Sequence, residues 1–179
     1  MKTTTIFTQG RRFRPGLKLR SASSLAILAI ALGACATNAN VETARSNQTL
    51  SKEQNLTDLA WAAAERGDHF AAIPMFRRAH RGNRGAAEPL YGLGSSLMAV
   101  GQYADAIAVL QKATKEDNTH IEARKALGQA LLIQGDFAGA VHAMRSAVNL
   151  DGGRAQTLAA LGVALDAYGD HDQALYNLR

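Results

Sequence analysis

The sequence predicts an all-α protein built as a solenoid of antiparallel helix pairs, and three observations support this prediction. A Gly-x-x-x-x-Ala signature occurs four times with a period of 34 residues, which is typical of stacked two-helix repeats. Its glycines are Gly67, Gly101, Gly135 and Gly169. Leucines upstream keep the same period, at Leu59, Leu93, Leu127 and Leu161. The composition, 47% hydrophobic with only three prolines, favours helices packed on small side chains.

The repeats are predicted at residues 53–86, 87–120, 121–154 and 155–179. Each contains two helices, with the glycine of the signature in the turn between them. In the first repeat, Asp68 is the predicted N-cap of the second helix, and Pro74 predicts a bend within it. The fourth repeat is incomplete and has no polar cap. We therefore expect either a longer natural chain or a partner that covers this end.

The positive charge of the chain is concentrated at its N-terminus. The formal net charge is +5, but six of the 20 basic residues precede Cys35, and the first acidic residue is Glu42. From residue 35 onward, 14 basic and 15 acidic residues nearly cancel. A repeat array without net positive charge is not expected to bind nucleic acid.

Residues 1–34 have the layout of a secretory signal peptide. Residues 1–20 are basic and polar, and an apolar run from Leu25 to Ala34 follows. This run is about half the ~20 residues needed to cross a hydrocarbon layer as a helix. A cleaved signal peptide is therefore predicted, and an uncleaved signal anchor is the alternative.

The leader ends in Leu32-Gly33-Ala34-Cys35, which resembles the lipobox of bacterial lipoproteins. The resemblance implies cleavage before Cys35 and attachment of lipid to its thiol. Cys35 is the only cysteine, so it has no disulfide partner in the chain. Ala36 stands where an aspartate favours inner-membrane retention, so the resemblance implies the periplasmic face of the outer membrane. An ordinary Ala-x-Ala cleavage site at Ala34 and Ala36 is the other interpretation.

The segment between the leader and the first repeat is predicted to be a flexible tether. Residues 35–52 comprise the lipidated cysteine and this tether, and residues 36–49 are small, polar and without periodicity. The mean reach of such a segment is roughly 20 Å. The repeats are therefore expected to lie near the membrane surface.

From about residue 53 to its last residue, the chain resembles a tetratricopeptide-repeat (TPR) array, because several positions stay in phase through four copies without an insertion. The resemblance implies a right-handed solenoid in which the first helix of each repeat lines a concave groove for protein partners. The residues at the groove positions are Thr57, Trp61, Glu65, Tyr91, Ser95, Met98, Lys125, Gln129, Leu132, Ile133, Ala159, Val163 and Asp166.

The predicted groove is mostly apolar, which suits a helix or an extended apolar peptide. Its large apolar residues are Trp61, Tyr91, Met98 and Leu132. Lys125 and Gln129 take positions similar to those of Lys and Asn in carboxylate-binding TPRs. The alternative is that Trp61 and Tyr91 pack against their neighbours instead of a ligand.

The sequence contains no pattern typical of a catalytic or metal site. No two of the five histidines stand four residues apart on a helix, and neither a Walker motif nor a nucleophile elbow occurs. His69 and His171 share a repeat position with Tyr103 and Phe137, so we expect them to pack like these aromatics. We expect no enzyme activity, cofactor, metal or small-molecule substrate, and the covalent lipid on Cys35 is the one predicted attached group.

A lipid-anchored TPR array of this kind resembles the pilotin-type lipoproteins, in particular the TadD-type lipoproteins of tight-adherence (Flp) pili. The resemblance implies assistance in assembling or localising a pilus or secretion machine, with an outer-membrane secretin or a pilus component as the partner. Two alternatives stay open. One is a general periplasmic adaptor for outer-membrane or cell-wall assembly, and the other is the N-terminal part of a longer lipoprotein enzyme.

Overall fold

The computed structural model describes residues 47–48, 51–52 and 54–178. Every described residue lies in the compact unit that begins at residue 45. The predicted signal peptide, the lipidation of Cys35 and the tether as far as residue 46 lie outside the described residues.

The end of the predicted tether is helical where it is described. Residues 47–48 and 51–52 have helical backbone and are exposed, and the Ser51 hydroxyl donates to the Gln48 carbonyl at 3.0 Å. The sequence predicted a flexible tether here and no helix, whereas these four residues have helical backbone. Polar residues of this kind show no apolar periodicity, so the sequence pattern did not predict helical backbone here.

The described part of the chain consists of eight α-helices, which confirms the predicted all-α class. Helix α1 covers residues 54–65. The others are α2 His69–Gly82, α3 Glu88–Ala99, α4 Tyr103–Glu116, α5 Ile121–Gln134, α6 Phe137–Asp151, α7 Ala155–Tyr168 and α8 His171–Asn177. None of the helices in the described range is long and apolar enough to span a membrane.

The helices form two layers. From α2 to α8, each helix packs against the next one along the chain. In addition, α5 contacts both α3 and α7. No Cα atoms of two different even-numbered helices lie within 8 Å of each other in the described range. The first helices of successive repeats are therefore close together and form the inner layer of the array, and the second helices form the outer layer.

The turns within the repeats match the sequence prediction. The four signature glycines have φ between 79° and 96°, a region that favours glycine because a Cβ would be strained there. The Asp68 carboxylate accepts a hydrogen bond from the Ala71 N–H at 3.0 Å, which confirms the predicted N-cap. Helix α2 continues through Pro74, whose side chain is exposed, to Gly82.

The core is built on the periodic small residues. Ala72, Ala106 and Ala140 are fully buried between the helices. The periodic leucines are not equally buried, since Leu59 is 60% exposed while Leu93, one repeat later, is 5% exposed. Leu93 is covered by the preceding helix pair, and no described helix pair precedes α1.

His171 also differs from its prediction. It is exposed, and its Nδ1 atom lies 2.7 Å from the Asp166 carboxylate. His69 is partly buried, as expected for a packing residue. Phe137, at the same repeat position on α6, is itself 40% exposed, so this position does not always hold a packed ring.

Candidate functional site

A cavity of about 330 Å³ opens on the inner layer. Its walls are the side chains of α3 and α5, and Gln156 at the start of α7 closes one end. The lining residues are Tyr91, Ser95, Met98, Glu122, Lys125, Ala126, Gln129 and Gln156. Five predicted groove residues are thus brought together, namely Tyr91, Ser95, Met98, Lys125 and Gln129.

The other predicted groove residues lie elsewhere. Thr57 is buried beside a separate cavity of about 250 Å³ next to the start of α3. Leu132 is partly buried against the core of the last two repeats, and Ala159 is also partly buried. The exposed residues outside the cavity are Glu65, Ile133, Val163 and Asp166.

Trp61 is held by contacts within the protein. Its ring packs on the edge of Phe76, with centroids 5.1 Å apart, and its centroid lies 5.4 Å from that of Tyr91. The indole Nε1–H donates to Oε1 of Glu88 at 3.0 Å. Because both the apolar ring and its N–H have partners, the structure favours the packing interpretation that the sequence left open.

Glu88 connects three helices of the inner layer. One carboxylate oxygen accepts from Trp61 on α1, and the other lies 3.1 Å from Nε2 of His120, at the start of α5. The His120 ring also packs on Tyr91, with centroids 5.2 Å apart. When the ring is neutral, its Nδ1 atom accepts from the Ala123 N–H at 3.3 Å and so caps α5. These contacts fix the spacing of the helices that form one side of the cavity.

The two charged partners shift each other's titration. The hydrogen bond from His120 lowers the pKa of Glu88, although partial burial opposes this shift. The same hydrogen bond raises the pKa of His120, again against partial burial. Both groups are therefore charged over a wider pH range than they would be separately.

We expect this pair to stabilise the protein most between pH 4.5 and 6.5, the ordinary pKa values of the two groups. Glu88 has a lowered pKa, so its contribution is present above pH 4.5 and is lost as pH falls through the lowered value. His120 has a raised pKa, so its contribution is present below pH 6.5 and is lost as pH rises through the raised value. Glu88→Gln should lower Tm by about 1–4 °C in this window and by less on either side, as measured by circular dichroism.

Glu122→Gln is the matched control, since Glu122 lies 3.7 Å from Nδ1 of His120 but makes no hydrogen bond to it. Its effect on Tm should be smaller at every pH. A Tm difference between the Glu88→Gln variant and the unmodified protein that stays constant with pH would contradict the assignment.

Sequence reasoning missed three acidic or amide residues that border the inner layer. Glu88, Glu122 and Gln156 share one repeat position, each 34 residues from the next. Glu122 stands three residues before Lys125, one helical turn away on the same face. The 34-residue period could therefore have identified this polar position. It was missed because the groove positions taken from the TPR resemblance did not include it.

The cavity is more polar than the sequence predicted. Its apolar residues are Tyr91, Met98 and Ala126, and the other five are polar or charged. The difference arises because Trp61 packs inward on its neighbours, while Glu122 and Gln156 add polar groups. Amide, hydroxyl, carboxylate and ammonium groups surround a small apolar surface. Such a lining suits an extended peptide, because the backbone donors and acceptors of a helix are already bonded within the helix.

A second cavity, of about 350 Å³, lies on the outer layer against α6. It contains none of the predicted groove residues. Across the described residues, no group of three His, Cys, Asp or Glu side chains is placed to hold a metal ion. The inner-layer cavity is therefore the candidate site that both the repeat pattern and the geometry support.

Comparison with known proteins bears on the fold. Residues 63–130 match the family model for the tetratricopeptide repeat. The fold is that of a TPR solenoid. The concave inner layer of a TPR array is a surface for protein–protein interaction, and the candidate cavity lies on this layer. A comparison with curated protein sequences found no match.

Solved TPR structures superpose on most of the described chain. A crystal structure of MamA matches with a TM-score of 0.66 and 22% identity, covering 70% of this chain and 74% of that one. MamA from Desulfovibrio magneticus RS-1 matches with a TM-score of 0.64 and 23% identity, covering 70% of this chain and 71% of that one. YrrB is described as a TPR protein with an unusual peptide-binding site. It matches with a TM-score of 0.59 and 24% identity, covering 66% of this chain and 61% of that one. At these identities, the similarity establishes the fold alone.

Proposed function

We propose that this protein is a non-enzymatic scaffold that binds an extended peptide segment of a partner protein in the inner-layer cavity. The observation that carries this proposal is the convergence of five residues from two first helices on one concave surface. Peptide binding by YrrB, which has the same fold, supports it.

Different residues of the cavity contact different parts of the peptide. The ammonium group of Lys125 attracts an acidic side chain or a terminal carboxylate of the peptide. Gln129 and Ser95 supply donors and acceptors for the peptide backbone, and Met98 with Tyr91 supplies apolar contact. The phenol of Tyr91 can donate a hydrogen bond, and burial raises its pKa although a hydrogen bond with Ser95 opposes this shift.

The cellular setting that we propose follows from the leader. Its lipobox-like end supports a lipoprotein attached through Cys35 to the periplasmic face of the outer membrane. The combination of lipid anchor and TPR array supports a TadD-type role, in which the partner is an outer-membrane secretin or another component of a Flp pilus. A general periplasmic adaptor would use the same cavity with a different partner.

Site-specific crosslinking tests the groove. A photoreactive residue in place of Gln129 should capture a partner, whereas the same residue in place of Asn149 should not. Asn149 is the matched control because it is exposed and lies on the outer helix α6. Lys125→Ala should reduce capture at position 129 by about tenfold or more, as expected for a charge that contacts the ligand.

The identity of the captured protein separates the parts of the proposal. A secretin or pilus component supports the TadD-type role, and a different outer-membrane or cell-wall protein leaves the scaffold in place but overturns that role. Equal capture at positions 129 and 149, or capture that Lys125→Ala does not alter, would overturn the groove as the binding site.

A further inference from the structure

The outer face of α2 carries a solvent-exposed stripe of aromatic and basic residues. Phe70, Pro74, Arg77 and Arg81 are separated by three or four residues, so they lie along one side of the helix. Arg78 lies beside them, and all five are exposed. The buried residues of this helix, Ala72, Phe76 and Ala79, lie on its opposite side.

Within the part of the chain that the structure describes, no carboxylate pairs with the arginines of this stripe. On the neighbouring α4, Lys112 contacts Nε2 of His80 at 2.9 Å, and Lys115 is exposed. Burial and the Lys112 ammonium lower the pKa of His80, so the imidazole stays neutral and accepts the hydrogen bond. Glu116 is the carboxylate that opposes this shift.

The equivalent faces of the following repeats lack this character. At the position of Phe70, helices α4 and α6 have Ala104 and Ala138. The three arginine positions of α2 hold Gln111, Lys112 and Lys115 on α4, and Arg145, Ser146 and Asn149 on α6. At these positions, positive charge therefore decreases along the outer layer from the first repeat to the third. At the position of Phe70, an aromatic ring is present on α2 alone among these three helices.

We propose that this face of α2 contacts the surface of a membrane containing anionic phospholipids. Phe70 is 76% exposed, so most of its apolar ring is in contact with water. Insertion at a membrane interface removes this unfavourable contact. Unpaired arginines attract phosphate groups, and an exposed aromatic ring on the same stripe inserts at the level of the headgroups. An acidic protein partner would account for the arginines but would not require the exposed ring beside them.

This contact goes beyond the proposed function and is independent of it. The stripe lies on the outer layer and the peptide cavity on the inner layer, so both surfaces can be occupied together. The contact requires neither the lipid on Cys35 nor any partner protein.

Tryptophan quenching in the full-length protein tests where α2 lies. Phe70→Trp and Ala138→Trp each add one tryptophan at the same repeat position of different helices, and the unmodified protein, with only Trp61, is the baseline. On vesicles of phosphatidylcholine and phosphatidylglycerol with brominated acyl chains, the added residue at position 70 should be quenched. The one at position 138 should not. Equal quenching at both positions would overturn the proposal, whatever binds the leader to the vesicles.

Charge removal provides the second readout. Replacing Arg77, Arg78 and Arg81 with Gln should abolish quenching at position 70 and lower vesicle affinity roughly 100-fold, at about fivefold for each residue. Replacing Arg11, Arg12 and Arg14 with Gln is the matched control, since it removes the same charge from the leader and should leave quenching at position 70 in place. Quenching that survives loss of the α2 arginines would also overturn the proposal, and crosslinking at position 129 reports separately on the groove.

Discussion

Gly92→Ala is expected to destabilise the protein by about 1–3 kcal/mol and to lower Tm by roughly 3–10 °C. A Cβ atom at Gly92 would overlap Cε1 and Cζ of the Phe76 ring, and it would lie 2.9 Å from Cδ1. Phe76 is fully buried and is wedged against Trp61, so the ring has no free space into which to move. The gain of about 1 kcal/mol from alanine in a helix offsets only part of this cost. Thermal unfolding followed by circular dichroism measures the change.

The result is informative because sequence comparison within the chain points the other way. The equivalent residues of the next two repeats are Ala126 and Ala160, so alanine would be predicted to fit. Phe76→Leu should recover part of the stability lost in Gly92→Ala, since it removes the ring that alanine meets. A Gly92→Ala protein at least as stable as the unmodified one would contradict this account of the contact.

Gly128→Ala is the matched control within another first helix. There the nearest atom to the added Cβ is the terminal Cε of Met144, at 2.8 Å. Cγ and Sδ of Met144 follow at 3.0 and 3.1 Å. A flexible methionine side chain moves more easily than a ring, and helix propensity favours alanine. We therefore expect Tm to change little or to rise slightly.

Cys35→Ala is expected to move the protein from the membrane fraction to the soluble fraction and to abolish labelling with fatty acid. Each buried methylene of an acyl chain contributes about 0.8 kcal/mol to membrane attachment, so loss of several chains should reduce the membrane-bound amount more than tenfold. Fractionation after a high-salt wash measures this, because salt weakens any remaining contact through the basic face of α2.

Ala36→Asp is the control for Cys35→Ala. It leaves the thiol intact, so labelling should continue, and the lipobox resemblance predicts that the protein then remains at the inner membrane. A Cys35→Ala protein that stays in the membrane fraction at its full uncleaved mass would instead support a signal anchor. Unchanged labelling would contradict lipidation of Cys35.

The sequence predicted those parts of the site that depend on position within a repeat. Tyr91, Ser95 and Lys125 line one cavity because the period places them on first helices, and first helices meet on the inner layer. The prediction failed where a side chain at a groove position packs within the protein instead of facing the groove. Trp61 occupies a groove position, but Phe76 and the Glu88 carboxylate hold its ring within the protein. The period does not encode such a choice between partners.

By itself the sequence determined the helix pairs, their turns and the residues between them, since glycine at a positive φ and alanine at a crossing point are local requirements repeated every 34 residues. Only the tertiary structure decided which neighbours each side chain meets. It joined Glu88 to Trp61 and to His120, 27 and 32 residues away, and it placed the Phe76 ring against Gly92. Such contacts depend on the size and charge of particular side chains in adjacent repeats, and these vary while the backbone pattern stays the same.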